Sequence, residues 1–238
     1  LLAALSPAQE EGDSHRLLLQ LAEFDPLEGE PVLPPLLQGG PDTRLWLVQS
    51  RDRPTGRFRA GLLEVGGEIS WYFPHNAYLV RMTAAQAAAA AGLAEVRWVG
   101  RYHPAYRLEP ALRRELARGE SPPLRRYNIV VVDPRKDKPA LARAIAALGG
   151  RVTQEQPESI LFQVELTGAQ LAGAARLDQV LWIDRWTPAE EDMNNARIQG
   201  GGDYVETLGG YTGKGINGHQ YEGLEATHPD FNNKPVNV

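Results

Sequence analysis

An α+β fold built by internal duplication is predicted for this chain of 238 residues by three observations. Val96-Arg97-Trp98-Val99-Gly100-Arg101-Tyr102-His103-Pro104-Ala105 is echoed by Val180-Leu181-Trp182-Ile183-Asp184-Arg185-Trp186-Thr187-Pro188-Ala189, and from Val96 to Val180 is 84 residues. Thr83 and Gln86 return at the same offset as Thr167 and Gln170, and a fixed period marks two copies of one structural unit. Within each copy, aromatic and β-branched runs alternate with Ala- and Leu-rich segments in the order βαββαβ.

Residues 15–40 carry Leu17-Leu18-Leu19-Gln20-Leu21, then Phe24-Asp25-Pro26 and the proline-rich Pro31 to Pro35. Prolines spaced this way forbid a long helix, so an extended arm is expected. The first copy opens with a strand from Arg44 to Gln49. A helix from Thr55 to Val65 follows, stopped by Gly66-Gly67. Glu68–Phe73 and Ala77–Met82 read as strands joined by a turn at Pro74-His75-Asn76. Thr83 caps an Ala-rich helix to Ala91, and Val96–Tyr102 is the last strand. The second copy repeats the order with a strand at Tyr127–Val132 and a helix at Lys138–Leu148, stopped by Gly149-Gly150. Strands at Arg151–Gln154 and Ile160–Leu166, a Thr167-capped helix and the strand Val180–Arg185 complete it. Pro110–Arg118 reads as a linker helix, and Asp133 to Lys138 as a charged turn with no site.

A βαββαβ unit of this length forms a four-stranded antiparallel sheet with two helices on one face, the ferredoxin-like arrangement. That leaves one face of each sheet bare, and a bare apolar face asks for a partner. Trp46, Trp71, Tyr78, Trp98, Trp182 and Trp186 are divided on this reading between core and interface. The expected boundaries are an arm over 1–43, copies over 44–109 and 127–189 with a linker over 110–126, and a further segment from 190.

The chain holds 25 basic and 30 acidic residues, a net charge of −5. From Thr187 onward eight acidic residues face three basic ones, so residues 1–186 sum to zero. A neutral pair of repeats argues against nucleic acid as a partner, and an acidic end suits a cation site or a solvated surface. With no cysteine there is neither a disulfide nor a thiolate metal site. No stretch approaches the ~20 apolar residues of a membrane span. Leu1 to Ala8 reads as the tail of a signal peptide, which implies export to the cell envelope or beyond.

With the repeat in place, Gln179 to Trp186 resembles the final strand of the inhibitor-type propeptide of subtilisin-like serine peptidases. Downstream, Gly213-Lys214-Gly215-Ile216 and Gly223-Leu224-Glu225-Ala226-Thr227-His228-Pro229-Asp230-Phe231 resemble that family's opening motif of G-x-G, buried strand, catalytic acid and H-P-D-F turn. The resemblance spans about 125–238. It implies a propeptide that templates and inhibits a catalytic domain, with the first part of an α/β subtilisin-like domain from residue 190 and the chain ending inside it. It also implies cleavage near Glu190 to Met193, a product-like tail in the cleft, and a protein or peptide substrate. The remainder of the catalytic domain is then the propeptide's partner.

The family places Asp seven positions after the second glycine, where this chain has Glu222, with one residue fewer before His228. Glu222 is a substituted catalytic acid able to orient an imidazole, a degenerate site in an inactive relative, or an ordinary surface carboxylate. The preceding Asn217-Gly218-His219-Gln220-Tyr221 is a poor buried strand. No histidine here stands in the family's H-G-T setting and no serine in its G-T-S setting. His228 belongs to the structural turn. Asp230 matches an Asp that the resemblance links to calcium through hard oxygen ligands. Gly213-Lys214-Gly215 lacks the spacing of a phosphate loop. The competing reading is a non-enzymatic tandem ferredoxin-like module that binds a protein or small ligand.

Overall fold

The computed structural model describes residues 15–155, 159–188, 198–211 and 215. The described residues up to Thr187 form one compact unit and those from Pro188 a second. The first unit is α+β with antiparallel sheets, as the sequence predicts. Its elements are β1 (Leu17–Leu18), β2 (Glu23–Phe24), β3 (Leu45–Ser50), α1 (Gly56–Glu64), β4 (Glu68–Phe73), β5 (Ala77–Arg81), α2 (Ala84–Ala91) and β6 (Val96–Arg101). Next come α3 (Pro110–Ala117), β7 (Arg125–Val131), α4 (Lys138–Ala147), β8 (Arg151–Glu155), β9 (Leu161–Leu166), α5 (Gly168–Ala174) and β10 (Val180–Arg185).

The two large sheets run β4-β5-β3-β6 and β10-β7-β9-β8. In each, the first strand of its segment lies between the third and the last. Thr83 and Thr167 occupy the same place in the two segments, each closing a capping box with Gln86 or Gln170 at the helix start. Gly66 and Gly149 stop the first helix of each segment at φ +86° and +79°, a conformation that glycine adopts without a Cβ penalty. Trp98 and Trp182 stand at matching strand positions, paired with Gln49 and Val130.

Alternation along the strands decides which side each residue takes. On the helix side of the first sheet, Trp46, Val48 and Val80 bury against Phe58 and Leu62 of α1 and Ala87 and Ala90 of α2. The other side carries two apolar cross-strand rows, Gly100–Leu47–Leu79–Trp71 and Trp98–Gln49–Ala77–Phe73. That side is not bare. Leu17, Leu33 and Leu37 of the arm share one buried cluster with Leu47 and Leu79, and the same cluster continues into the core of the second sheet. The arm predicted simply as extended folds back as the short β1–β2 ladder and a 3-10 turn at Pro35–Leu37.

Polar contacts fasten the segments together. Trp71 Nε1 donates to the Val132 carbonyl at 2.8 Å. Arg81 is paired with Asp137 and donates to the Asp178 carbonyl at 3.0 Å. The charged turn read as featureless thus supplies Asp137, nearly buried, to the contact between the two segments. Arg107, 1% exposed on a 3-10 turn, donates to the Tyr102 and Leu177 carbonyls, both at 2.7 Å. Burial pushes its guanidinium down to about 10.

Gly168 opens α5 beneath the linker. A Cβ there would stand 2.8 Å from Pro122 N and 2.9 Å from Ser121 Cα, backbone atoms that have no freedom to yield. Gly168→Ala should therefore cost about 1–3 kcal/mol in urea unfolding, as overpacking does. A loss below ~0.5 kcal/mol would mean the linker gives way freely.

In the second unit, α6 (Gly202–Gly209) lies between left-handed Gly201 and Gly210, with Tyr204, Val205 and Leu208 exposed. No helix among the described residues is long and apolar enough to cross a membrane.

Candidate docking surface

The helix side of the second sheet is core: Ile183–Ile129–Phe162 and Tyr127–Val164 pair across strands and are buried beneath α4 and α5. The opposite side is built from the intervening positions. Trp182–Val130–Leu161 form one row and Asp184–Asn128–Gln163–Gln154 the next. Arg126–Glu165–Arg151 form a third. None of these side chains belongs to the buried set.

The polar rows satisfy one another. Asn128 Nδ2 donates to Asp184 Oδ1 at 2.8 Å. Glu165 lies between Arg151 and Arg126, the latter at 3.8 Å. Arg126 stacks over the Trp186 ring at 4.5 Å, a cation–π contact that fixes the indole at the end of the strand. With its charges internally matched, the face carries two half-buried indole rings and the half-buried Leu161, and indoles are what interface centres favour.

The edge of the same sheet is closed by the linker. Leu108 bridges Ile183 in parallel, and Glu109 N donates to the Ile183 carbonyl at 2.9 Å. The Glu109 carboxylate then accepts from Arg185 N at 3.0 Å and from its guanidinium. The Arg185 guanidinium holds the Glu109 carboxyl below its ordinary value, and the carboxylate in turn raises Arg185. The partners are 50% and 22% exposed, so the pair contributes no more than ~1 kcal/mol and serves to direct the chain leaving β10.

Trp182 and Trp186, divided by sequence between core and interface, both lie on this open side, whereas Trp46 is core. Sequence reading missed Asn128, Asp184 and Glu109. The alternation Arg126-Tyr127-Asn128-Ile129 carried the signal for the first two; nothing local marks Glu109. The predicted acid Glu222, the calcium ligand Asp230, and the Leu1 to Ala8 segment lie outside the described residues. Among the described residues no three His, Cys, Asp or Glu side chains gather as a metal-holding group.

A family described as a domain of unknown function (DUF8729) matches residues 18–103, which hold most of the arm and the whole first sheet. No curated protein matches the chain.

Proposed function

We propose that the chain is the N-terminal portion of a secreted subtilisin-like serine endopeptidase precursor. The second repeat acts as folding template and inhibitor, and the catalytic domain begins near residue 190. One observation carries this reading: the second sheet keeps an open, indole-bearing face, and the strand beside that face runs directly into the segment with the peptidase-like motifs. The shared strand order of the two sheets supports taking each repeat as ferredoxin-like. An inhibitory propeptide needs such a face for the folded catalytic domain and an outgoing tail to lie along its cleft as an added strand. Glu222 is then the triad's acid, holding a histidine supplied by later sequence in the tautomer that accepts the serine proton. Asp230 contributes an oxygen ligand to calcium.

The test adds residues 15–188 to the catalytic domain of the full precursor. Inhibition at concentrations below about 10 µM is expected. Replacing both Trp182 and Trp186 with Ala should weaken it by about 10²-fold, as loss of two central aromatic anchors does. Absence of inhibition by the unaltered unit at that concentration would refute the proposal and favour a non-enzymatic binding module.

A further inference from the structure

We infer that the tandem presents one docking face rather than two, because residues 17–37 complete the cover of the first sheet's helix-free side, which Tyr102 and Val132 also meet at Phe73 and Trp71. The occupancy stands independently of the peptidase reading; only the statement that the second face docks a catalytic domain rests on it.

The two faces occupy the same place in the two sheets and differ in what they can tolerate. The first carries Leu47, Leu79, Ala77 and Gly100 in its rows, all buried. Rows of that kind are unfavourable in water and call for permanent cover. The second carries Asn128, Asp184, Arg126 and Glu165, which water solvates readily. Each face therefore suits a different condition, one closed and one open.

The cover of the first face is made specifically. Leu17 is fully buried in the same cluster as Leu47 and Leu79, and Leu37 extends that cluster from a turn seated against α3. Gln49, the polar member of the face and itself fully buried, donates from Nε2 to the His15 carbonyl at 2.9 Å. Its Oε1 accepts from Arg97 at 2.8 Å, and Arg97 reaches on to Asp25 of the arm at 2.8 Å. That contact holds the Asp25 carboxyl below its ordinary value. A buried amide with both ends matched to the arm and its anchor is the mark of an occupant for which the face is built. The family match points the same way, since it begins in the arm at Leu18 and ends just past the first sheet at His103. Arm and sheet recur as one module, and the second sheet is not part of it.

The experiment uses the full chain and a labelled synthetic peptide of residues 12–40 as probe. The unaltered chain should not bind the peptide, because its face is filled. In a Leu17→Asp/Leu37→Asp chain the resident arm should detach, trypsin should cut after Arg16 at least ten times faster, and the peptide should bind with micromolar affinity. Failure of the peptide to bind the chain with a trypsin-sensitive arm would overturn the inference, as would binding to the unaltered chain. Should the double variant not fold, a specific protease site placed at Gly40–Asp42 of an otherwise unaltered chain decides. After cutting, the arm should co-elute with the core in gel filtration at micromolar concentration. Separation of the two would overturn the inference. The outcome is independent of any peptidase assay.

Discussion

Replacing Arg107 with alanine should lower the unfolding free energy of the repeat unit by about 3 kcal/mol. The residue's two terminal nitrogens bind carbonyls from different segments, Tyr102 at the end of the first sheet and Leu177 before β10. Its guanidinium also sits 5.3 Å over the Tyr102 ring. Each bond from a charged donor contributes ~1.5–3 kcal/mol, and an abandoned buried carbonyl costs ~1–3 kcal/mol. Against this stands relief from burying a cation, which keeps the net effect below the sum. For a unit of this size the change corresponds to a fall in Tm of about 6–12 °C. Arg107→Met keeps the stem but loses the fork, and should recover only the packing part. Arg107→Lys should recover little, since one ammonium on a flexible stem does not reproduce the planar two-pronged contact. A change under ~1 kcal/mol for the alanine variant would mean that other contacts hold the two segments together.

The largest functional effect is expected at Glu222. On the proposed peptidase reading, Glu222→Gln in the full precursor's mature enzyme should lower turnover by up to ~10⁴, because an amide presenting NH₂ to the imidazole favours the wrong tautomer. Glu222→Asp is the sharper test. If the residue missing before His228 compensates for the longer Glu, Asp should fall short of hydrogen-bond reach, ~2.6–3.2 Å, and activity should drop. If Asp equals or exceeds Glu, the shortened loop does not compensate for the longer side chain. If Glu222→Gln leaves turnover unchanged, Glu222 is not the acid. Both variants are read by single-turnover kinetics against the same peptide substrate.

The elements that depend on local chemistry were legible in the sequence. Glu68–Phe73 reads as a strand from its composition, though a bulge between Ile69 and Trp71 sends them to opposite faces, and Thr83 with Gln86 and Thr167 with Gln170 announce helix starts through a local hydrogen-bond pair. Gly66 and Gly149 mark the helix ends by a conformation that other residues resist. What escaped was non-local. Leu17, Leu33 and Leu37 are separated by polar residues and prolines and have no period, so their shared place in one buried cluster leaves no trace in the arm itself. Arg107 reads as an ordinary surface cation until the fold brings two carbonyls from 5 and 70 residues away to its fork. The docking surface was half legible. The period-two pattern of β7 separates its sides, but pairing Asn128 with Asp184 needs the register of β10. Glu222 and Asp230 are named from the family resemblance alone and lie outside the described residues.

Segments of one chain that share a strand order are liable to exchange strands during folding, and the contrast between the two faces guards against it. Trp98 and Trp182 are interchangeable in the exchange, but two positions later the strands carry Gly100 and Asp184. If β10 entered the slot of β6, Asp184 would lie against Leu47, where Gly100 now pairs. A carboxylate there would be desolvated without a partner, a cost of several kcal/mol. In the reverse exchange Gly100 would face Asn128, whose amide would lose its carboxylate acceptor. The difference between Gly100 and Asp184 thus gives each of these two strands a preferred sheet.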